Sequence, residues 1–152
     1  MEKRPLGQSS STRISALGID VGRRRIGVAG CDGTGLIATG LTTLRRSAFA
    51  QDVEQFRQLV REREVQILVF GLPYTLDGEI GPQAHQTQRY ANGLARALDL
   101  PFEYVDERMS SIQAEEMLQA EGYQPSRNKA LIDRKAAAII LQRWLDQRRA
   151  NP

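Results

Sequence analysis

The stretch ALGIDVGRRRIGVAG, residues 16–30, places an aspartate at the end of a predicted buried strand. The residues before Asp20 are mostly apolar, and Gly22 follows closely after it. Aspartate is depleted in strands, and a carboxylate beside an apolar core is costly unless it is paired or bound to a metal. Three consecutive arginines come next: Arg23, Arg24 and Arg25. The stretch therefore predicts two strands joined by a tight basic turn, with Asp20 as a candidate functional acid.

The remaining pattern predicts an α/β domain over residues 14–149. Short apolar runs predict strands over 15–20, 24–32, 36–44, 65–70 and 102–105. The glycine and proline content of residues 71–82 predicts a loop there. Apolar residues at helical spacing predict helices over 48–63, 83–98, 111–121 and 129–148, with Ser47 as the N-cap of the first. Short links favour antiparallel pairing of the first three strands, and helical crossovers favour parallel pairing afterwards. The expected fold is a five-stranded mixed sheet with helices on both faces.

Composition narrows the class of protein. The chain has 152 residues, enough for one domain. No apolar run approaches the roughly 20 residues that a membrane helix needs. Residues 1–13 are polar, which predicts a flexible tail and no signal peptide. The single Cys31 has no partner for an internal disulfide, which fits a reducing cytoplasm.

Charge favours a nucleic-acid partner only mildly. The net charge is +3 and the sequence pI is about 9.3. Residues 123–149 carry seven basic residues against two aspartates. From charge alone, a solvated helix face is the favoured interpretation of this excess, because runs of charge usually serve solubility.

Several carboxylates are expected to meet at one edge of the sheet. Asp20 ends the first strand, and Asp106 and Glu107 follow the last. Ligands in such sheets bind at the carboxyl ends of the parallel strands. Asp133 shares a helix face with apolar Ile140 and should point at the sheet. Converging carboxylates repel one another unless a hard cation such as Mg²⁺ or Mn²⁺ binds them.

Each acid also has a simpler interpretation. Asp133 could be the N-cap of a helix that starts at Arg134. Asp106 could form a turn with its own backbone. Glu107 could pair with Arg108 or carry a favourable charge in the first turn of a helix.

Four segments resemble the YqgF/RuvX family, also described as Holliday-junction resolvases or pre-16S rRNA nucleases. They are LGIDVGRRRIGVA, VFGLPYTLDGEIG, YVDERMSSIQAEEML and KALIDRKAAAIILQRWL, and the resemblance covers about residues 15–146. It implies an RNase H-like fold and a divalent-metal-dependent phosphodiesterase. It carries the first and last catalytic acids onto Asp20 and Asp133. The acid of the DER motif falls on Glu107, with neighbouring Asp106 as the alternative, and all four acids are expected metal ligands.

The resemblance also implies a partner. Members of the family are linked to maturation of the 5′ end of 16S rRNA and, by fold analogy, to cleavage of branched DNA; we rank pre-rRNA first. A ribosome precursor is a further expected partner. The chain would act as a monomer or a homodimer, and paired cuts in a junction require a symmetric dimer. Basic residues are the candidates for nucleic-acid contact: Arg23, Arg24, Arg25, Arg108, Arg127 and Lys129.

Two alternatives come from other functional classes. A sugar-kinase or actin-like ATPase fragment would also have a strand ending in Asp-x-Gly, but such proteins duplicate this fold and the chain holds one copy. A non-catalytic RNA- or ribosome-binding module would keep its affinity for nucleic acid after loss of the carboxylates.

Overall fold

The computed structural model describes residues 13–73, 77–107 and 110–151, except for the side chains of 110 and 111. The strands are β1 (Ala16–Val21), β2 (Arg25–Cys31), β3 (Ala38–Arg45), β4 (Ile67–Leu72) and β5 (Phe102–Asp106). The helices are α1 (Phe49–Arg63), α2 (Pro82–Leu98), α3 (Ser110–Ala120) and α4 (Lys129–Ala150), with a short 3-10 helix at Pro125–Arg127.

The strands form one sheet in the order β3-β2-β1-β4-β5. β1 pairs antiparallel with β2, and β2 pairs antiparallel with β3. β4 lies parallel to β1 on its other side, and β5 lies parallel to β4. The expected mixed sheet is confirmed, because the short β1–β2 and β2–β3 links make hairpins while α1 and α2 carry the chain across the sheet.

Strand alternation gives the sheet two apolar faces. Leu17 and Ile19 of β1 pack in a core with residues of α1 and α2. Ala16 of β1 and Val69 of β4 pack on the opposite face in a core with α4. Helices therefore cover both faces, as expected. Because side chains alternate along β1, Asp20 lies on the same face as Ala16, the face that α4 covers.

The Ser47 cap prediction is wrong. The N-cap of α1 is Ala48, whose side chain makes no capping hydrogen bond. Ser47 instead donates from its backbone N–H and its Oγ to Oδ1 of Asp52, at 3.0 and 3.3 Å. Asp52 is buried, so its carboxylate needs these donors, and Tyr90 supplies a third at 3.0 Å.

The predicted loop over 71–82 begins two residues too early. β4 continues through Gly71 and Leu72, because these residues pair with Val105 and Asp106 of β5. The cap interpretation of Asp133 is also wrong, since α4 begins at Lys129 and Asp133 lies in its second turn.

Some expectations concern residues that lie wholly or partly outside the described ranges. These are most of the predicted tail over 1–13, residues 74–76 of the predicted loop, and Arg108. The domain bounds 14–149 stay a prediction. No helix in the described part of the chain has the length and apolarity that crossing a membrane requires.

Candidate active site

Glycines in the sheet let α4 come into direct contact with the strands. A Cβ at Gly18 would lie 2.6 Å from Cβ of Leu141 and 2.7 Å from the carbonyl oxygen of Ala137. A Cβ at Gly27 would collide with the carbonyl oxygen of Asp133. Glycine inside a strand commonly marks such a close backbone approach. The position of Asp133 is therefore fixed by the backbone of α4 on β2.

Asp20 and Asp133 are neighbours on this face. Asp20 is the ladder partner of Gly27, over which the Asp133 backbone lies. Adjacent strands are about 4.8 Å apart, so both acids occupy the same small area. Burial and the charge of Asp133 raise the pKa of Asp20 to about 7.

Glu107 joins them from β5. It is the first residue after the strand, and its backbone N–H donates to the carbonyl of Leu72 at 3.2 Å. Its side chain lies over Gly71, where a Cβ would be 2.5 Å from Cγ of Glu107. Glu107 is buried, and this burial and the charge of Asp20 raise its pKa to about 8 against the opposing charge of Arg143.

Asp106 is placed differently. Val105 belongs to the core beside α4, so strand alternation directs the next side chain to the other face of the sheet. The backbone carbonyl of Asp106 accepts a hydrogen bond from Nη1 of Arg143 at 2.6 Å. The charge of Asp106 makes the smallest contribution to the pKa shift of Glu107. The structure thus brings Asp20, Glu107 and Asp133 together and leaves Asp106 at the margin.

Arg25 neutralises one of the three acids. Its Nε donates to Oδ2 of Asp133 at 2.6 Å, and the two side chains are 35% and 18% exposed. Within residues 13–73, 77–107 and 110–151, no three acidic, histidine or cysteine side chains are arranged so that they could hold a metal ion. The donor set nevertheless fits a hard divalent cation, because it consists of carboxylate oxygens, and burial together with the neighbouring acids raises the pKa values of Asp20 and Glu107.

Of the predicted nucleic-acid residues, Arg25 contacts the cluster directly through Asp133. Arg23 and Arg24 are exposed in the β1–β2 turn, and Arg127 is exposed in the 3-10 helix. Lys129 lines a groove of about 490 Å³ with Arg25 and Asp133. Nothing is described for Arg108, which follows Glu107 in the chain.

Sequence reasoning missed Arg143 and the role of the glycines. Nη2 of Arg143 donates to Oε1 of Gln113 at 2.9 Å, so this residue ties α4 to α3 as well as to β5. The helical spacing could have predicted its position. Arg143 lies seven residues after buried Ala136 and three residues after buried Ile140, and therefore on the same helix face. Gly27, inside an apolar strand, was a comparable signal of close approach.

A mixed sheet of this order with helices on both faces is an RNase H-like fold, and its carboxylates gather where β1 and β5 end. The sequence model of one family, described as RuvX: Holliday junction resolvase, matches residues 14–147. The chain belongs to this family, which argues against the sugar-kinase or actin-like ATPase alternative.

Curated relatives agree with this assignment. A Trichormus variabilis protein named "Putative pre-16S rRNA nuclease" is 65% identical over 138 residues, which cover 91% of each chain. A protein of the same name from Synechocystis is 60% identical over 141 residues, or 93% of each chain.

Two solved structures share the fold at low sequence identity. T. thermophilus RuvC in complex with a Holliday junction superposes with a TM-score of 0.58 at 16% identity, over 91% of this chain and 97% of that one. The Fowlpox virus resolvase in complex with Holliday junction DNA gives 0.53 at 8% identity, over 88% and 98%.

Proposed function

We propose that this protein is a divalent-metal-dependent nuclease that hydrolyses phosphodiester bonds in the 5′-end processing of pre-16S rRNA. The observation that carries the proposal is the convergence of Asp20, Glu107 and Asp133, where burial and then the neighbouring carboxylates raise the pKa values of Asp20 and Glu107 to about 7 and about 8. Keeping buried like charges together is costly, and a cation removes that cost. The rRNA substrate is supported by the names of relatives that are 60% to 65% identical.

Asp20, Glu107 and Asp133 would hold Mg²⁺ or Mn²⁺. Asp106 is not among the proposed ligands, because strand alternation directs its side chain to the other face of the sheet. The cation, when bound, supplies positive charge that stabilises the charge developing on the phosphodiester. In the absence of metal, Glu107 holds a proton at neutral pH, since its pKa is about 8. Metal binding would favour the ionised carboxylate and release this proton.

Two arginines balance the acids. Arg25 pairs with Asp133, and Arg143 opposes the pKa shift of Glu107. The groove lined by Lys129 and Arg25 begins beside Asp133 and would position a phosphate backbone next to the carboxylates. Arg23, Arg24, Arg108 and Arg127 are the other proposed contacts to nucleic acid.

The test is cleavage of two substrates by the purified protein. A 5′-extended pre-16S RNA and a four-way DNA junction would each be incubated with Mg²⁺, with Mn²⁺ and with a chelator. We expect metal-dependent cleavage of the RNA at a defined 5′ position. Two results together would favour the resolvase alternative. The protein would cut the junction in pairs and in preference to the RNA, and sedimentation would show that it is a dimer.

Asp20→Asn is the matched inactive variant. It removes one charge from the crowded cluster, so cleavage should be lost while the melting temperature holds or rises. Affinity for RNA should be largely retained. An Asp20→Asn protein that cuts as well as the parent would refute the metal-site proposal, and a parent that binds RNA or ribosome precursors without cutting would indicate the non-catalytic module. A cytoplasmic location is part of the proposal.

A further inference from the structure

A second concave site lies on the opposite face of the sheet from the carboxylates. It is a cleft of about 480 Å³ between the β1–β2 turn, the start of α1 and one face of α2. We call it the arginine cleft, because the side chains that dominate its wall are Arg23, Arg46 and Arg89, with Phe49 and Gln86 beside them. None of the three clustered acids of the first site lines it.

The arginine cleft is strongly positive. Among the described residues, its lining contains three arginines and no carboxylate. In the same part of the chain, neither Arg23 nor Arg89 forms an ion pair, and both are exposed. Arg46 donates from Nη1 to the carbonyl of Gly22 at 2.9 Å and stacks over Tyr90, 4.6 Å from the ring centroid. This arrangement fixes one guanidinium and leaves the other two facing solvent, as expected for a site that binds an anion.

An exposed aromatic ring stands in the same cleft. Phe49 is 42% exposed, although it packs edge-on against Tyr90 with ring centroids 5.6 Å apart. Gly93 leaves room for this ring, since a Cβ there would lie 3.2 Å from Cζ of Phe49. Proteins bind single-stranded nucleic acid with this combination of arginines and a flat aromatic ring. The arginines contact phosphates, and an unpaired base stacks on the ring. Exposed Gln83 and Gln86 add hydrogen-bonding groups for a base edge.

The β1–β2 turn joins the two sites. Asp20 faces α4, whereas the next residue, Val21, lines the arginine cleft. The turn sends Arg25 to Asp133 on one face and Arg23 into the cleft on the other. From Asp20 to Gly22 the chain advances roughly 7 Å at the usual rise of a strand. One nucleic-acid strand crossing this edge of the sheet could therefore reach both sites.

We propose that the arginine cleft binds a single-stranded segment of the substrate adjacent to the phosphodiester held at the carboxylates. Arg23 and Arg89 contact its phosphates, and Phe49 stacks on one base. The inference rests on the proposed nuclease function and extends it to a preference for substrates with an unpaired flank. Duplexes cannot offer a base to Phe49 without unpairing it.

The test measures binding without catalysis. A fluorescent 12-nucleotide single-stranded RNA of mixed sequence is titrated with protein in a chelator, and anisotropy is followed over a series of salt concentrations. Arg89→Gln should weaken binding severalfold and reduce the slope of log affinity against log salt by about 0.7, the value for one phosphate on a single strand. Phe49→Ala should weaken binding about 5- to 150-fold and leave that slope unchanged.

Two further variants make the result specific. Arg96→Gln removes the same charge from the same helix at an exposed position outside the cleft and should bind as the parent does. Phe49→Leu keeps apolar contact with Tyr90 and removes the flat ring, so it should lose affinity as Phe49→Ala does. Circular dichroism checks that all four variants are folded.

The outcomes separate this inference from the proposed function. Parent-like binding by both Arg89→Gln and Phe49→Ala would overturn the inference, whether or not the parent cleaves RNA. Equal losses on a 12-base-pair duplex would also overturn it, because they would show no preference for a single strand. Losses confined to the single strand, together with a parent that cuts neither substrate, would support the arginine cleft and refute the nuclease proposal.

Discussion

Asp20 and Glu107 make the stability of the metal-free protein depend on pH. Both carboxyls have pKa values raised by folding, to about 7 and about 8. A raised pKa means that the folded state binds the proton more tightly than the unfolded state. The stabilising contribution is therefore complete below about pH 4 and is lost as pH rises through 7 and 8.

This predicts a falling melting temperature between pH 5 and pH 8 in the presence of a chelator. Saturating Mg²⁺ should flatten the fall, because the cation stabilises the ionised carboxylates. Asp20→Asn should flatten it without metal. The measurement is thermal unfolding by circular dichroism at each pH, and a profile for the metal-free parent that is level or rises over this interval would contradict the prediction.

The ion pair between Arg25 and Asp133 predicts competition with metal. Arg25→Gln leaves the Asp133 charge unbalanced beside Asp20, so the metal-free protein should lose about 1–2 kcal/mol of unfolding free energy, between the values for exposed and buried pairs. The increase in melting temperature on adding Mg²⁺ should be larger than in the parent, since no guanidinium has to leave. Arg24→Gln, at the exposed neighbouring position, is the control. Equal Mg²⁺-induced increases in all three proteins would show that Arg25 does not compete.

Helix α4 depends on the glycines beneath it. A methyl group at Gly27 would collide with the Asp133 carbonyl, so Gly27→Ala should cost about 1–3 kcal/mol or more and displace the acid. Cleavage should be lost although no carboxylate is changed. Gly33→Ala is the matched control, because its Cβ would lie 3.5 Å from Arg13, an ordinary contact. Denaturant unfolding and the cleavage assay measure both effects, and parent-like values for Gly27→Ala would refute this account of the packing.

Periodicity predicted where most helices and strands lie, because each has one apolar face and short polar links. It failed where long-range pairing overrides a local signal. Gly71-Leu72-Pro73 has the composition of a turn, yet its first two residues belong to β4 because β5 lies beside them. Ser47 is a residue type that commonly caps helices, yet its hydroxyl donates a hydrogen bond to buried Asp52 instead.

The sequence predicted the three acids of the candidate site, but it did not predict the ion pair that one of them makes. Strand ends and a helix face pointed to Asp20, Glu107 and Asp133, since these positions follow from local pattern. The sequence alone does not show whether Asp106 or Glu107 faces α4. That depends on which side chains of β5 point to each face of the sheet, which is known only once the strand is placed. The pair between Arg25 and Asp133 joins residues 108 positions apart, and no local pattern indicates such a contact.

For the molecule as a whole, the basic residues at the groove lined by Lys129, Arg25 and Asp133 predict that RNA binding weakens with salt. Replacing Arg127 and Lys129 together with alanine should lower affinity for many RNA sequences alike. The slope of log affinity against log salt should fall by about 0.7 for each phosphate that the variant no longer neutralises. Anisotropy with several unrelated oligonucleotides provides the measurement.

The control for this pair is a double variant of equal charge. Arg61 and Arg96 are exposed on α1 and α2, away from the groove, and their replacement with alanine should leave the slope unchanged. If the two double variants behave alike, the basic residues act through net charge and the phosphate path does not follow this groove.

The contact of α4 on Gly27 has a practical consequence for capturing the substrate. The position of Asp133 is set by the contact between the α4 backbone and the β2 backbone. The shape of the surface around the acids therefore does not depend on attraction between these acids and a cation. An Asp20→Asn protein should therefore present an intact docking surface that holds its RNA without consuming it. Such a protein is a suitable bait for crosslinking in cells, and the sequences it retains would report the natural target directly.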